Sequence, residues 1–186
     1  MAAVVLLAVL FVRMLRPAAD RELVAACAAL RPAPTNKALG SLPTTVPQFT
    51  AQDQDGKMVS MADFQGKITL VNFWASWCNV CALEKPTLKR LREDLGDSIE
   101  IVTLASDADW KEIQKRFPEG PPFRVLLDPP ADGDNIGRVA RTFGVTAVPE
   151  SFLVNREGVI QHYYINKRNW SSSVAQTCLR SIVDQS

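Results

Sequence analysis

Residues 67–86 read KITLVNFWASWCNVCALEKP. Ile68 to Trp74 is a near-continuous apolar run rich in β-branched and aromatic residues, interrupted by Asn72, which is the pattern of a central strand covered on both faces. After Cys78 the positions Val80, Leu83, Thr87/Leu88, Leu91 and Leu95 follow helical spacing and predict an amphipathic helix that Gly96 stops. Pro86 falls inside that helix and predicts a kink. Two cysteines therefore sit where a buried strand hands over to a helix.

That placement carries chemistry. A helix N-terminus presents unpaired N–H groups and a partial positive charge, so the Cys78 sulfur is stabilised there as a thiolate. The two-residue spacing puts Cys81 one helical turn on, within reach to form a disulfide with Cys78 and to resolve a mixed disulfide on it. The competing reading of Cys-x-x-Cys is half a zinc site, which needs two further ligands. The remaining candidates are Cys27, Cys178 and the single His162, so no metal is expected. Cys178, in line with Val174 and Ile182, reads as an inert core cysteine.

Outward from the dithiol, strand and helix patterns alternate. Ile99 to Ala105 predicts a second buried strand, followed by a helix opened by Ser106 or Asp107, carrying Trp110, Ile113 and Phe117, and ended by Pro118. Phe123 to Leu127 is a third strand, Asp128 to Asp134 a loop, and Ile136, Val139, Ala140 and Phe143 mark a helix closed by Gly144. Ser151–Val154 and Val159–Ile165 flank a turn and read as a hairpin, and a last helix begins near Asn169. The expected class is α/β, with a mixed central sheet flanked by helices.

The dithiol block resembles a known family. KITLVNFWASWCNVCALEKP, with QFTAQDQDGKMVSMADFQG before it and FGVTAVPESFLVNREGVI after it, is similar to the membrane-tethered thioredoxin-like proteins of the TlpA, ResA and DsbE type. The resemblance covers nearly all of residues 47–165 and implies a thioredoxin-like fold and a thiol-disulfide oxidoreductase. It further implies a reductive, extracytoplasmic role, in several members devoted to cytochrome c maturation, and no cofactor. By the same resemblance Pro149 matches the family's cis-proline, and the Val148 backbone beside it is left free to pair with an extended substrate. Glu84 matches the glutamate of the CxxExP block, which tunes the dithiol or handles its protons; the competing reading is a solvated helix charge. Glu150 fits the DsbE-like pattern, against an exposed strand-edge charge. Asn72 falls where thioredoxins proper carry a buried aspartate, so that base is absent.

Other positions take the simpler reading. Trp74 and Trp77 shape a substrate-facing surface or pack beside the strand end. Lys85, Lys89, Arg90 and Arg92 read as the wet face of the helix, and His162 is assigned no role. The Asn79-Val80 pair lacks both the histidine expected of strong oxidants and the proline common in reductants.

Composition sets the outer bounds. At 186 residues, 47% hydrophobic and 22% charged, the chain has room for one globular core. Residues 1–47 hold Arg13, Arg16, Arg21, Arg31 and Lys37 against Asp20 and Glu22, leaving the remainder near −2. That remainder offers no electrostatic footprint for a phosphate backbone, so nucleic acid is not an expected partner. Ala2 to Val12 is apolar but short of the roughly 20 residues of a bilayer span. Residues 1–30 thus read as a signal core or short anchor, with Cys27 as a lipoprotein site, or as an organelle presequence. Pro32, Pro34, Pro43 and Pro47 make residues 31–47 an extended linker, which leaves 48–186 as the thioredoxin-like domain.

The expected reaction is reduction of protein disulfides, and the resemblance implies a membrane dithiol donor of the DsbD or CcdA kind. Two alternatives stand beside it. One is a redox-sensing binding module whose dithiol gates docking around Trp77 and Pro149. The other is a peroxiredoxin-like peroxidase, which Ala75 opposes because peroxidases carry threonine at that position.

Overall fold

Strand β3 (Thr69–Trp74) has all six residues buried, as a strand covered on both faces requires. The computed structural model describes Val5, residues 25–30 and residues 43–184. Around β3 lies a seven-stranded sheet, with β1 (Thr50–Asp53), β2 (Met58–Ser60), β4 (Glu100–Ala105), β5 (Arg124–Leu127), β6 (Glu150–Val154) and β7 (Ile160–Ile165). The spatial order is β2-β1-β5-β4-β3-β6-β7. β3, β4 and β5 run parallel, whereas β6 pairs antiparallel with both β3 and β7. The sheet is mixed, and the fold is thioredoxin-like.

The pleat of β3 separates two cores, since successive side chains point to opposite faces. Leu70 and Trp74 pack with Cys81, Leu88, Leu91 and Leu95 of helix α1 (Asn79–Leu95), Ile113 of α2 (Trp110–Arg116) and Cys178 of α4 (Ser173–Asp184). Val71 and Phe73 face the other way, against Ala140 of α3 (Arg138–Thr142), Phe143, and Met61 and Phe64 of a 3-10 turn. Phe73, Phe143 and Phe152 form a ring cluster there, with centroids 4.9 to 5.9 Å apart.

Three sequence expectations are corrected. The buried stripe of α1 is Cys81, Glu84, Lys85, Leu88, Leu91 and Leu95, whereas Val80 and Leu83 are 41% and 63% exposed. The first two turns are thus rotated relative to the apolar pattern, because the helix turns its polar network inward and its aliphatic side chains out. Lys85 accordingly does not belong to the wet face. In the C-terminal helix Val174 is exposed and Trp170 precedes the helix. Third, Cys178 is not a lone core thiol: it is disulfide-bonded to Cys27, 151 residues away. That bond occupies the sulfur which the lipoprotein reading required.

The β1–β2 hairpin carried little strand periodicity, since its strands of four and three residues each bury one side chain, and its one local signal is the Asp55-Gly56 turn, where Gly56 has φ +80°. Cys27 and Leu30 join the core beneath α1, and residues 25–30 are helical. Val46 N–H donates to the Gly158 carbonyl (3.0 Å), which ties the chain ahead of β1 to the β6–β7 turn. Apart from Val5, the apolar run Ala2 to Val12 lies outside the described residues, as do residues 31–42 of the Pro-rich stretch. Among the described residues no helix is long and apolar enough to cross a membrane.

Candidate active site

Cys78 is the N-cap of α1, and Cys81 closes a disulfide with it at a Cα–Cα distance of 5.2 Å. The Cys81 N–H donates to Cys78 Sγ at 3.1 Å. This is one of the donors that a helix start leaves unpaired, and it would equally stabilise a thiolate on Cys78 after reduction. The two sulfurs are not equivalent: Cys78 is 7% exposed and Cys81 is fully buried. Solvent and substrate reach Cys78 first.

The approach to Cys78 is held from behind. Asp107, just after β4, accepts from Ser76 N–H (3.0 Å) and from Ser76 Oγ–H (2.5 Å). Burial holds the Asp107 carboxyl above its usual range, with the Ser76 bonds opposing. Trp74 lies under the loop, buried, its indole N–H donating to Thr103 Oγ1 (3.0 Å). Trp77 stands outside at 52% exposure, so of the two tryptophans only Trp77 contributes surface. Together with Val80 and Leu83 it forms an apolar rim at the dithiol.

Opposite the helix terminus the Val148–Pro149 peptide is cis, and the Val148 carbonyl oxygen lies 3.7 Å from Cys78 Sγ. The structure thus brings Cys78, Cys81, Val148 and Pro149 together at one end of the sheet. Glu150 follows directly, buried rather than at a solvated edge, and accepts from the Tyr163 hydroxyl (2.5 Å). Burial, then Glu150, pushes the Tyr163 hydroxyl well above its usual range. Glu150 shares strand parity with Phe152 and Val154 and so belongs to the sheet face opposite α1.

Glu84 is 1% exposed, which excludes the solvated-charge reading. Its Oε1 accepts from Trp170 Nε1–H (2.8 Å) and Arg168 N–H (2.9 Å), and its Oε2 from Asn72 Nδ2–H (3.0 Å). Asn72 also donates to Ser151 Oγ (2.9 Å) and accepts from Lys85 Nζ (2.7 Å). Lys85 Nζ lies 4.3 Å from the Trp74 ring centroid and 5.3 Å from that of Phe123. Burial brings the Lys85 amine down to about 7, opposed by the Glu84 charge. Two opposite charges, one amide, two tertiary donors (Trp170 and Arg168) and one acceptor (Ser151) thus form a closed network beneath the helix turn that carries Cys81.

Lys85, Arg168, Trp170 and Ser151 are the members that sequence reasoning missed. A signal existed for Lys85: it stands four residues after Cys81 and three before Leu88, on the stripe that faces the sheet. Arg168 and Trp170 come from the turn after β7, and no local pattern announces that they meet Glu84.

Fold and site together define a thioredoxin-fold protein with a helix-terminal dithiol. The Redoxin family model matches residues 43–179, and the chain belongs to that family. It is 34% identical over 116 residues to the thiol-disulfide oxidoreductase ResA of Bacillus thuringiensis subsp. konkukian (strain 97-27), covering 61% of this chain and 64% of that relative. The match therefore spans a little under two thirds of that relative's length. To the thiol:disulfide interchange protein DsbE of Vibrio cholerae serotype O1 it is 32% identical over 137 residues, covering 70% of each. The crystal structure of a thiol:disulfide interchange protein DsbE from Chlorobium tepidum shares the fold, with a TM-score of 0.66, 23% identity and coverage of 77% of this chain and 98% of that one. The resemblance read from residues 47–165 is thereby borne out.

Proposed function

We propose that the protein is a thiol-disulfide oxidoreductase that reduces protein disulfides through Cys78 and Cys81. The observation that carries this is the asymmetric pair at the start of α1: a reachable Cys78 and a buried Cys81, joined as a disulfide. In the reaction, Cys78 thiolate attacks one sulfur of the substrate disulfide, and the other sulfur leaves with the electron pair. Cys81 then attacks Cys78, closes the intramolecular disulfide and releases the second substrate thiol. The apolar rim of Trp77, Val80 and Leu83 holds the substrate, with the Val148 backbone as the strand-pairing edge. Glu84 tunes the acidity of the two thiols.

Protein disulfides outside the cytoplasm, including those of cytochrome c maturation, are the substrates on this reading. The Cys27–Cys178 bond supports such a compartment, because a disulfide away from the dithiol persists where the surroundings are oxidising. A reductase working there needs electrons from a membrane dithiol donor of the DsbD or CcdA kind, and a tether ahead of residue 25 would keep the two close, since Cys27 and Leu30 belong to the domain core.

Insulin reduction, with turnover supplied by a small dithiol, tests the reading. Activity is expected, lost in Cys78→Ser, while Cys81→Ser should accumulate a mixed disulfide. After mild reduction Cys78 should alkylate before Cys81. Disulfide exchange without turnover would favour the redox-sensing module.

A further inference from the structure

Lys85 is the one charged group of the buried network that the proposed reaction leaves without a task. The residue is 4% exposed, and its Nζ donates to Asn72 and lies over the Trp74 ring. Burying an ammonium is costly, and an apolar residue on the stripe between Cys81 and Leu88 would avoid that cost. The position is specific: residues i and i+4 of a helix are neighbours on one face, so Lys85 lies one turn behind Cys81. Lys85 also lines a groove of about 450 Å³ between α1 and residues 116–122.

We propose that Lys85 is the positioning residue for the resolving step, supplying the positive charge against which Cys81 becomes a thiolate. The inference rests on Cys78 and Cys81 being the working dithiol. In that step the Cys81 thiol loses its proton, and the thiolate attacks Cys78 Sγ of the mixed disulfide. The Cys81–Cys78 bond forms as the Cys78–substrate bond breaks. The electron pair leaves on the substrate sulfur, which takes up a proton and so balances the one released.

Electrostatics says why the charge is needed there. Glu84, three residues after Cys81, already places a negative charge on the same face, and a second one on Cys81 is opposed by it. Of the charged groups around Lys85 among the described residues, α1 contributes Glu84 and the outer Lys89. The groove contributes Arg116 and Glu119, and the turn after β7 contributes Arg168. Arg168 directs Nε to the Leu30 carbonyl and Nη1 to the Asn166 and Lys167 carbonyls. From β3 and β6 the network receives the neutral Asn72 and Ser151, while the neutral Thr103 of β4 accepts from the Trp74 indole. Glu150 and Tyr163 lie on the other sheet face. Lys85 is the cation that shares both the Asn72 bond and the Cys81 stripe.

Lys85→Gln tests this, because glutamine can still donate to Asn72 but carries no charge. The measurement is the decay of a preformed Cys78 mixed disulfide in single turnover from pH 5 to 10, with alkylation of Cys78 in parallel. The expected result is resolution slowed tenfold or more at pH 7, the effect of raising the Cys81 pKa by one, with Cys78 alkylation changed less than twofold. A Lys85→Gln profile that coincides with the native one overturns the proposal, as does equal slowing of both reactions. Lys85→Arg provides a second arm, since arginine stays charged at all working pH values. At pH 9, where the native amine is largely neutral, Lys85→Arg should resolve faster than native, and an equal or slower rate counts against the role. Glu84→Gln run alongside separates the readings: a shift only in Glu84→Gln removes Lys85, and a shift only in the Lys85 variants removes Glu84. Native protein without insulin turnover would instead remove the reaction itself.

Discussion

Replacing both halves of the second disulfide, in Cys27→Ala/Cys178→Ala, should lower stability by about 3 kcal/mol while leaving the dithiol in place. Cys27 and Cys178 are 151 residues apart, so their bond closes a loop that spans most of the chain. In the chain-entropy model a loop of that length contributes up to about 5 kcal/mol, a ceiling that measured disulfides commonly fall short of. The double replacement avoids leaving a lone thiol in the core, and the volume it removes is small, so the loss is mainly that of the cross-link. For a domain of this size a loss near 3 kcal/mol corresponds to a Tm lowered by about 10 °C. The assay is thermal unfolding followed by circular dichroism, with Cys78–Cys81 kept oxidised in both proteins. Thiol titration of the unreduced, denatured native protein should find no free cysteine. Two free thiols there, or a Tm within 3 °C of native for the double variant, would refute the reasoning.

Three further outcomes follow from the buried network and the rim. Glu84→Gln should fold but lose about 1–3 kcal/mol, because an amide cannot accept from Trp170, Arg168 and Asn72 together without turning its own NH2 toward one of those donors. Its thiol labelling should also change with pH, and a labelling profile identical to native would reduce Glu84 to a structural role. The Lys85 amine, lowered by burial to about 7, titrates near 10.4 when unfolded. The unfolded chain therefore binds the extra proton between those values, the stability of the oxidised protein rises with pH across that window, and the penalty is fully present below it. Urea unfolding at pH 6 and pH 9 should show this rise in native protein but not in Lys85→Gln, and equal slopes in the two would contradict it. Leu83→Asp, on a side chain 63% exposed, should slow insulin reduction at least fivefold more than reduction of a small aromatic disulfide. Equal slowing toward both would mean that the rim is not a docking surface.

Local pattern alone determined the architecture of the central strand, the start of α1, the parallel strands after it and the closing hairpin. Each rests on a periodicity or a stop signal contained within a few consecutive residues. The dithiol was legible for the same reason, since a helix N-terminus and a two-residue spacing are local facts. Tertiary structure decided what faces what. The apolar pattern of Val80 and Leu83 pointed those side chains inward, yet the fold buries Glu84 and Lys85, because Asn72, Ser151, Arg168 and Trp170 converge from distant segments to satisfy their polar atoms. Cys27 and Cys178 share no local sequence signal, and only the packing of residues 25–30 against α4 joins them. A hydrogen bond or a disulfide between residues far apart leaves no periodic trace in either partner's neighbourhood, so the chain's own order could announce the cysteines that react but not the groups that surround them.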